Sequence, residues 1–186
     1  MRLTDNRYSG EKQQFELALR MIQHEARTRT IRLCTGLSDD RIRKVYTTYF
    51  RNSGDMAVKR RRGKSPRQIN LFVKTPQHQL EATTLIALFC NSLLLRVDTS
   101  NKVYARWPRP DVEYGHRVCR AFETYQMLHP QAALNFEWAW NLLQSIVRND
   151  ELYLAVCRRC RSKYVQDAYA LDRRICPSCS LSGKPH

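Results

Sequence analysis

Four cysteines near the end of the chain have the type and spacing that can do chemistry. Cys157 and Cys160 form one C-x-x-C pair, Cys176 and Cys179 form a second, and fifteen residues separate the pairs. In each pair the two intervening residues close a tight turn, so both thiolates can meet one metal ion from the same side. Two such knuckles complete a tetrahedron of sulfurs at Zn–S distances of about 2.3 Å. Protein then fills all four positions and leaves no open place for water, so the expected ion is one structural Zn2+. Arg158, Arg159 and Arg161 surround the first knuckle and favour thiolate over thiol. A redox C-x-x-C is the competing reading, but that motif usually stands alone beside a βαβ unit, and none is legible here. Cys34, Cys90 and Cys119 fall at apolar positions of expected helices and read as buried core thiols.

The charge balance points the same chain toward a polyanion. Its 186 residues carry 32 Lys and Arg against 17 Asp and Glu, a formal net charge of +15. So dense a surplus fits nucleic acid or an anionic membrane face better than a merely basic soluble protein. Lys59-Arg60-Arg61-Arg62-Gly63-Lys64 puts five positive charges in six residues and reads as an arm that meets phosphate. A nuclear import signal is the alternative in a eukaryote. Arg106-Trp107-Pro108-Arg109 makes a second basic spot, and Arg158 to Lys163 with Arg173-Arg174 a third. Three patches favour nucleic acid over one solvated face.

Other classes fit less well. The longest apolar run, Leu85 to Leu95, is broken by Asn91 and Ser92 and falls short of the ~20 residues a membrane span needs. The opening MRLTDNRYSGEKQQ lacks the apolar stretch of a signal peptide. Seven cysteines, an odd number, suit a reducing compartment, so the expected location is the cytoplasm with no membrane partner. A metal nuclease needs clustered carboxylates. Here the adjacent acidic pairs are only Asp39-Asp40 and Asp150-Glu151. The histidines His24, His78, His116, His129 and His186 show no ligand or catalytic spacing, so the residues argue against an enzyme.

The elements that must position these groups are mainly α. Residues 12–26 read as an amphipathic helix with Phe15, Ala18, Leu19, Ile22 and Ala26 on one face. The stretch from Thr28 to Tyr49 has the outline of a helix-turn-helix, with Gly36 at the turn and Ser38 capping the helix from Asp39 to Phe50. Ile31, Leu37, Ile42 and Val45 would pack the pair, and Tyr46 and Tyr49 share their helical spacing. Arg41, Arg43 and Lys44 would face phosphates or guanine edges. Asp39 and Asp40 assist the helix start through its dipole but repel a phosphate backbone. An ordinary helical hairpin with solvated charges is the alternative. A basic loop follows over 51–76, then a core helix from Gln77 to Arg96 and a connector over 97–112 marked by Asp98, Asn101, Pro108 and Pro110. Helices from about Glu113 to Leu128 and Gln131 to Arg148 turn Tyr114, Val118, Phe122, Tyr125, Leu134, Trp138, Leu142 and Ile146 inward. Tyr153 to Val156 and Tyr164-Val165 are short β-like runs beside the cysteines. The expected architecture is a helical body over 1–150, with core helices at 77–148, and a small zinc-ribbon tip over 151–186.

Several of these segments together resemble one known family. LALRMIQHEARTRTIRLCTGLSDDRIRKVY, Phe89-Cys90-Asn91 in the core helix, Ala139-Trp140-x-Leu142, and CRRCRSKYV in the cysteine segment are similar to FlhC, the larger subunit of the FlhC–FlhD bacterial transcription activator. The resemblance covers most of the chain and includes all four cysteines in order. It implies a mostly helical protein that holds zinc through Cys157, Cys160, Cys176 and Cys179. It further implies assembly with a smaller FlhD-like helical partner into a hetero-oligomer, binding to double-stranded promoter DNA, and activation through RNA polymerase, usually at flagellar genes. The chain departs from flagellar members in its basic loop, which leans toward relatives on conjugative plasmids and integrative elements that activate transfer genes. The expected DNA contacts are Arg41, Arg43, Lys44, Lys59, Arg60, Arg61, Arg62, Lys64, Arg158, Arg159 and Arg161. An RNA-binding or ribosome-associated zinc-ribbon protein is the alternative, since charge and cysteines suit that role equally.

Overall fold

The computed structural model describes residues 3–51, 58, 59, 61, 68–169 and 174–182. Among them are seven α-helices and two two-stranded antiparallel hairpins, so the chain is mainly helical with little sheet. It divides into two compact units: Met1–Ser65 with Trp107–Cys119, and Pro66–Arg106 with Arg120–His186. The cysteine segment therefore groups with the core helices around it.

In the first unit, α1 (Leu3–Gln23), α2 (Thr28–Thr35) and α3 (Asp39–Tyr49) pack on one another. The buried stripe of α1 is Leu17, Ala18, Met21 and Ile22; Phe15 and Leu19 of the expected face are only half-buried. α1 starts nine residues earlier than its apolar period suggested and stops before Ala26. It closes with Glu25 N–H donating to Ile22 O (2.8 Å) and Ala26 N–H to Met21 O (3.0 Å), the paired bonds of a Schellman ending. α2 ends at Gly36, whose φ of 72° lies where a side chain is strained. Ser38 then caps α3 by accepting from Arg41 N–H at 3.3 Å. Ile31, Leu37, Ile42 and Val45 are buried as expected. Tyr49 is not: it is 49% exposed, with its ring edge against Phe15. The start of α5 (Val112–Leu128) completes this unit. A Cβ on its Gly115 would lie 2.5 Å from Leu17 Cδ2 and 3.0 Å from Cys34 Cβ, so a larger residue there would force Leu17 to shift.

The second unit is built on α4 (Pro76–Asn91), capped by Thr75, which accepts from His78 N–H at 3.2 Å. α4 ends five residues before the expected Arg96. Leu93 takes φ 58°, and Leu95–Val97 forms strand β1, paired with β2 (Val103–Ala105) inside the expected connector. The run Leu93-Leu94-Leu95 is apolar enough for either state, and the turn residues Asp98 and Asn101 decide for a hairpin. α6 (Phe136–Ile146), capped by Asn135, begins five residues after the expected Gln131. Its Leu142 and Ile146 are buried, as are Phe122 and Tyr125 of α5. In the expected loop, Phe72 on a 3-10 turn (Asn70–Val73) is fully buried, edge-on to Trp138.

Strands β3 (Leu152–Val156) and β4 (Lys163–Asp167) form the second hairpin, with Val156 opposite Lys163. The outer edge of β4 is covered by α4: Gln79 Nε2 donates to Val165 O at 2.8 Å, and Thr83 Oγ1 accepts from Val165 N–H at 3.2 Å. Side chains thus satisfy backbone groups that an edge strand would otherwise leave open. A short helix, α7 (Pro177–Leu181), follows the second cysteine pair and packs on α4.

Candidate functional site

The hairpin delivers the first cysteine pair. β3 runs into Cys157, the chain turns through Arg158, Arg159 and Cys160, and β4 leaves from Lys163. Cys157 N–H donates to Ser162 O (2.9 Å) and Arg161 N–H to Cys157 O (3.0 Å), closing the knuckle. The second pair comes from the start of α7, where Cys176 is the N-cap and Pro177 the first helical residue. Arg158 N–H donates to Arg174 O at 2.9 Å and ties the two knuckles together.

All four Sγ atoms lie within 4.8 Å of one another, and Cys160 Sγ is 3.5 Å from Cys176 Sγ. The edge of a sulfur tetrahedron around zinc is about 3.8 Å, so the donor set fits a single tetrahedral ion. None of the four is in a disulfide. Cys157 and Cys176 are buried together with Tyr164, and Ala155 and Cys179 pack against them. The sulfurs are thus most of this region's core. Amides point at them: Cys176 N–H donates to Cys157 Sγ (3.2 Å) and Cys179 N–H to Cys176 Sγ (3.4 Å).

These contacts split the thiols. Burial opposes ionisation of Cys157, but donors from Cys160, Cys176 and Arg159 outweigh it and hold its pKa at about 6. Cys160 is lowered by donation from Ser162. Cys179 is pushed up to about 12, chiefly by its sharing of a proton with Cys160, and burial raises Cys176. Four sulfurs this close cannot all ionise alone; a dication lets the remaining protons leave. Cys34 and Cys119 are buried, and desolvation raises Cys34 strongly, which suits a packing role. Cys90 is only half-buried.

The expected DNA-contact residues fall into separate settings. On α3, Arg43 is 2.6 Å from Asp40 and Arg41 is 3.9 Å from Glu11; Lys44 has no ion pair among the described residues. Arg32, beside the helix crossing, pairs with Asp39 at 3.4 Å. Of the basic run, Lys59 is exposed and Arg61 binds Glu25 at 2.7 Å. Tyr46 Oη donates to Val58 O at 2.9 Å, anchoring the residue before Lys59. Arg60, Arg62 and Lys64 lie outside the described residues, as does Arg173. Arg158, Arg159 and Arg161 are all exposed on the first knuckle. Trp107 is no open stacking face: Tyr114 meets it edge-on and the Arg117 guanidinium lies 5.6 Å from its centroid. α3 and the knuckle belong to different compact units.

Two positions of consequence had no advance signal. Glu81, on the core helix, is 1% exposed. It accepts from Tyr125 Oη (2.6 Å), Ala133 N–H (3.0 Å) and Gln77 Nε2 (3.1 Å). Burial raises its pKa, yet these donors outweigh it and the net shift is downward. Gln79, two residues earlier, holds β4. A carboxylate and an amide within an apolar helix were the available hint, but the partners outside that helix lie 44 to 87 residues away in sequence. Among the described residues no helix is long and apolar enough to cross a membrane. Compared with known protein families the chain matches no family model, and no curated protein matches it.

Proposed function

We propose that the chain is the DNA-binding, larger subunit of a bacterial transcription activator of the FlhC type, with one structural zinc in its four-cysteine site. The observation that carries the proposal is the sulfur tetrad framed by exposed arginines: a centre suited to stiffening a small surface, carrying charge suited to phosphate. The net charge of +15 supports it, as does the pair α2–Gly36–α3, read as a helix-turn-helix with Lys44 and Arg43 as base or phosphate contacts. In this reading the protein works in the cytoplasm by binding and not by catalysis. A smaller FlhD-like partner joins it at promoters of flagellar or conjugative-transfer genes, and the complex engages RNA polymerase. The cysteine segment is then a zinc ribbon.

The test is selection of bound duplexes from a random pool by the protein purified from its host with whatever small partner it retains. Arg61→Ala should weaken binding to every duplex and lessen its salt dependence, whereas Arg43→Ala should blur sequence preference. Absence of any enriched duplex would contradict the proposal. Binding to structured RNA without duplex binding would replace it with the RNA-binding ribbon alternative.

A further inference from the structure

Among the described residues five other than glycine hold a left-handed backbone: Glu25, Leu93, Asn101, Asn149 and Arg161. Asparagine adopts that region readily, and Asn149 uses its side chain to pair both backbone groups of Val103. Glu25 and Leu93 close helix ends, and the Glu25 carboxylate holds Arg61. The Arg161 backbone closes the knuckle, its N–H donating to Cys157 O at 3.0 Å, but its side chain has no such task. At φ 64° the residue makes the turn that carries the chain from Cys160 into β4. Glycine would meet that demand with less strain. Its side chain adds nothing visible to the fold, since Arg161 is exposed and its guanidinium has no hydrogen bond or ion pair among the described residues.

A costly conformation held by a side chain without an internal task points outward. We propose that Arg161 is the main phosphate contact of the cysteine region on duplex DNA, presented by the knuckle turn at a set place beside the sulfurs. The inference rests on the DNA-binding reading and sharpens it. Arg158 and Arg159 stand inside the C-x-x-C turn, and neither has a positive φ, so arginine there is no conformational sacrifice. At position 161 it is. A guanidinium also suits the role, because its planar fork can grip two phosphate oxygens at once.

Two substitutions in the full-length, zinc-loaded protein separate backbone from side chain. Arg161→Gly relieves the turn and removes the charge; Arg161→Ala removes the charge and keeps the strain. Arg161→Gly should retain its zinc and unfold thermally at or above the native midpoint, with Arg161→Ala close to that midpoint. Both should bind duplex DNA about tenfold more weakly, as for loss of one charge-assisted contact. The slope of log K against log salt should shrink by roughly one phosphate's worth. Arg158→Ala and Arg159→Ala should each weaken binding too, but less than Arg161→Ala, by about threefold as for rim charges. Native-like binding by Arg161→Gly would overturn the inference while leaving the DNA reading in place, and so would a lower midpoint for Arg161→Gly. Failure of the unaltered protein to bind duplex would remove the DNA reading first, and the inference with it.

Discussion

The arginines of α3 and those of the cysteine knuckle differ in what they already hold. On α3, Arg43 and Arg41 face Asp40 and Glu11, and nearby Arg32 faces Asp39. On the knuckle, Arg158, Arg159 and Arg161 are exposed with no ion pair among the described residues. The supports differ too. α3 stands on ordinary packing of Ile31, Leu37, Ile42 and Val45, whereas the knuckle stands on sulfurs and on polar ties from α4. A helix can hold its charges in exposed pairs worth little and give them up to a stronger anion. Around the knuckle itself the buried cluster is only Cys157, Tyr164 and Cys176, so a bound metal would do most to fix its arginines in place.

The largest expected effect comes from removing the metal. Cys157→Ala, or chelation, should strip any bound zinc and expose the amides of the two knuckles, residues 157–162 and 174–179, to faster hydrogen exchange. Isolated zinc peptides gain on the order of 10 kcal/mol from such a site, far more than the knuckle's small cluster of Cys157, Tyr164 and Cys176 could replace. The amides of α1–α3 should keep their protection. Equal loss in both regions would end the contrast between them.

Next comes Glu81. Glu81→Ala strands Tyr125 Oη and the Ala133 amide, and should cost about 2–4 kcal/mol, since each buried donor left unsatisfied costs about 1–3 kcal/mol. The pH dependence has a definite sign. The folded pKa is lowered, so this carboxylate stabilises fully above its unfolded value of about 4.3. That contribution fades as pH falls through the folded pKa. Denaturant titrations from pH 7 downward should show a shallower acid decline in Glu81→Gln than in the native protein. An unchanged decline would mean that other carboxylates set it.

The smallest effect is the one that probes α3 directly. Asp40→Asn releases Arg43 and should change stability by no more than about 0.5 kcal/mol. If Arg43 meets DNA, binding should tighten a few-fold at low salt and the salt slope should steepen. No change in either would assign α3 a structural role and leave the knuckle as the charged surface.

Much of this was legible in the sequence, for reasons that differ by site. Ligand spacing is local, so C-x-x-C repeated after fifteen residues named the four sulfurs that the fold brings together. Gly36 and Ser38 announced the α2–α3 turn because turn and cap chemistry is also local. Tyr114, Val118, Phe122 and Tyr125 followed from helical period and are buried. The failures came where two states share one composition. Leu93-Leu94-Leu95 could continue a helix or begin a strand, and the connector after it hid the β1–β2 hairpin. Glu81 with Tyr125, Gln79 with β4, and Glu25 with Arg61 were invisible because each joins residues far apart in the chain. Left-handed Arg161 was invisible for another reason: arginine gives no local sign of positive φ.

The central claim is that four sulfurs form a metal centre that holds the arginine surface in shape. X-ray absorption at the zinc edge, on full-length protein with metal content measured in parallel, tests it most directly. The expected result is one zinc per chain with four sulfurs at about 2.3 Å and no lighter neighbour. Cysteines joined in disulfides, or a shell containing oxygen or nitrogen, would contradict it.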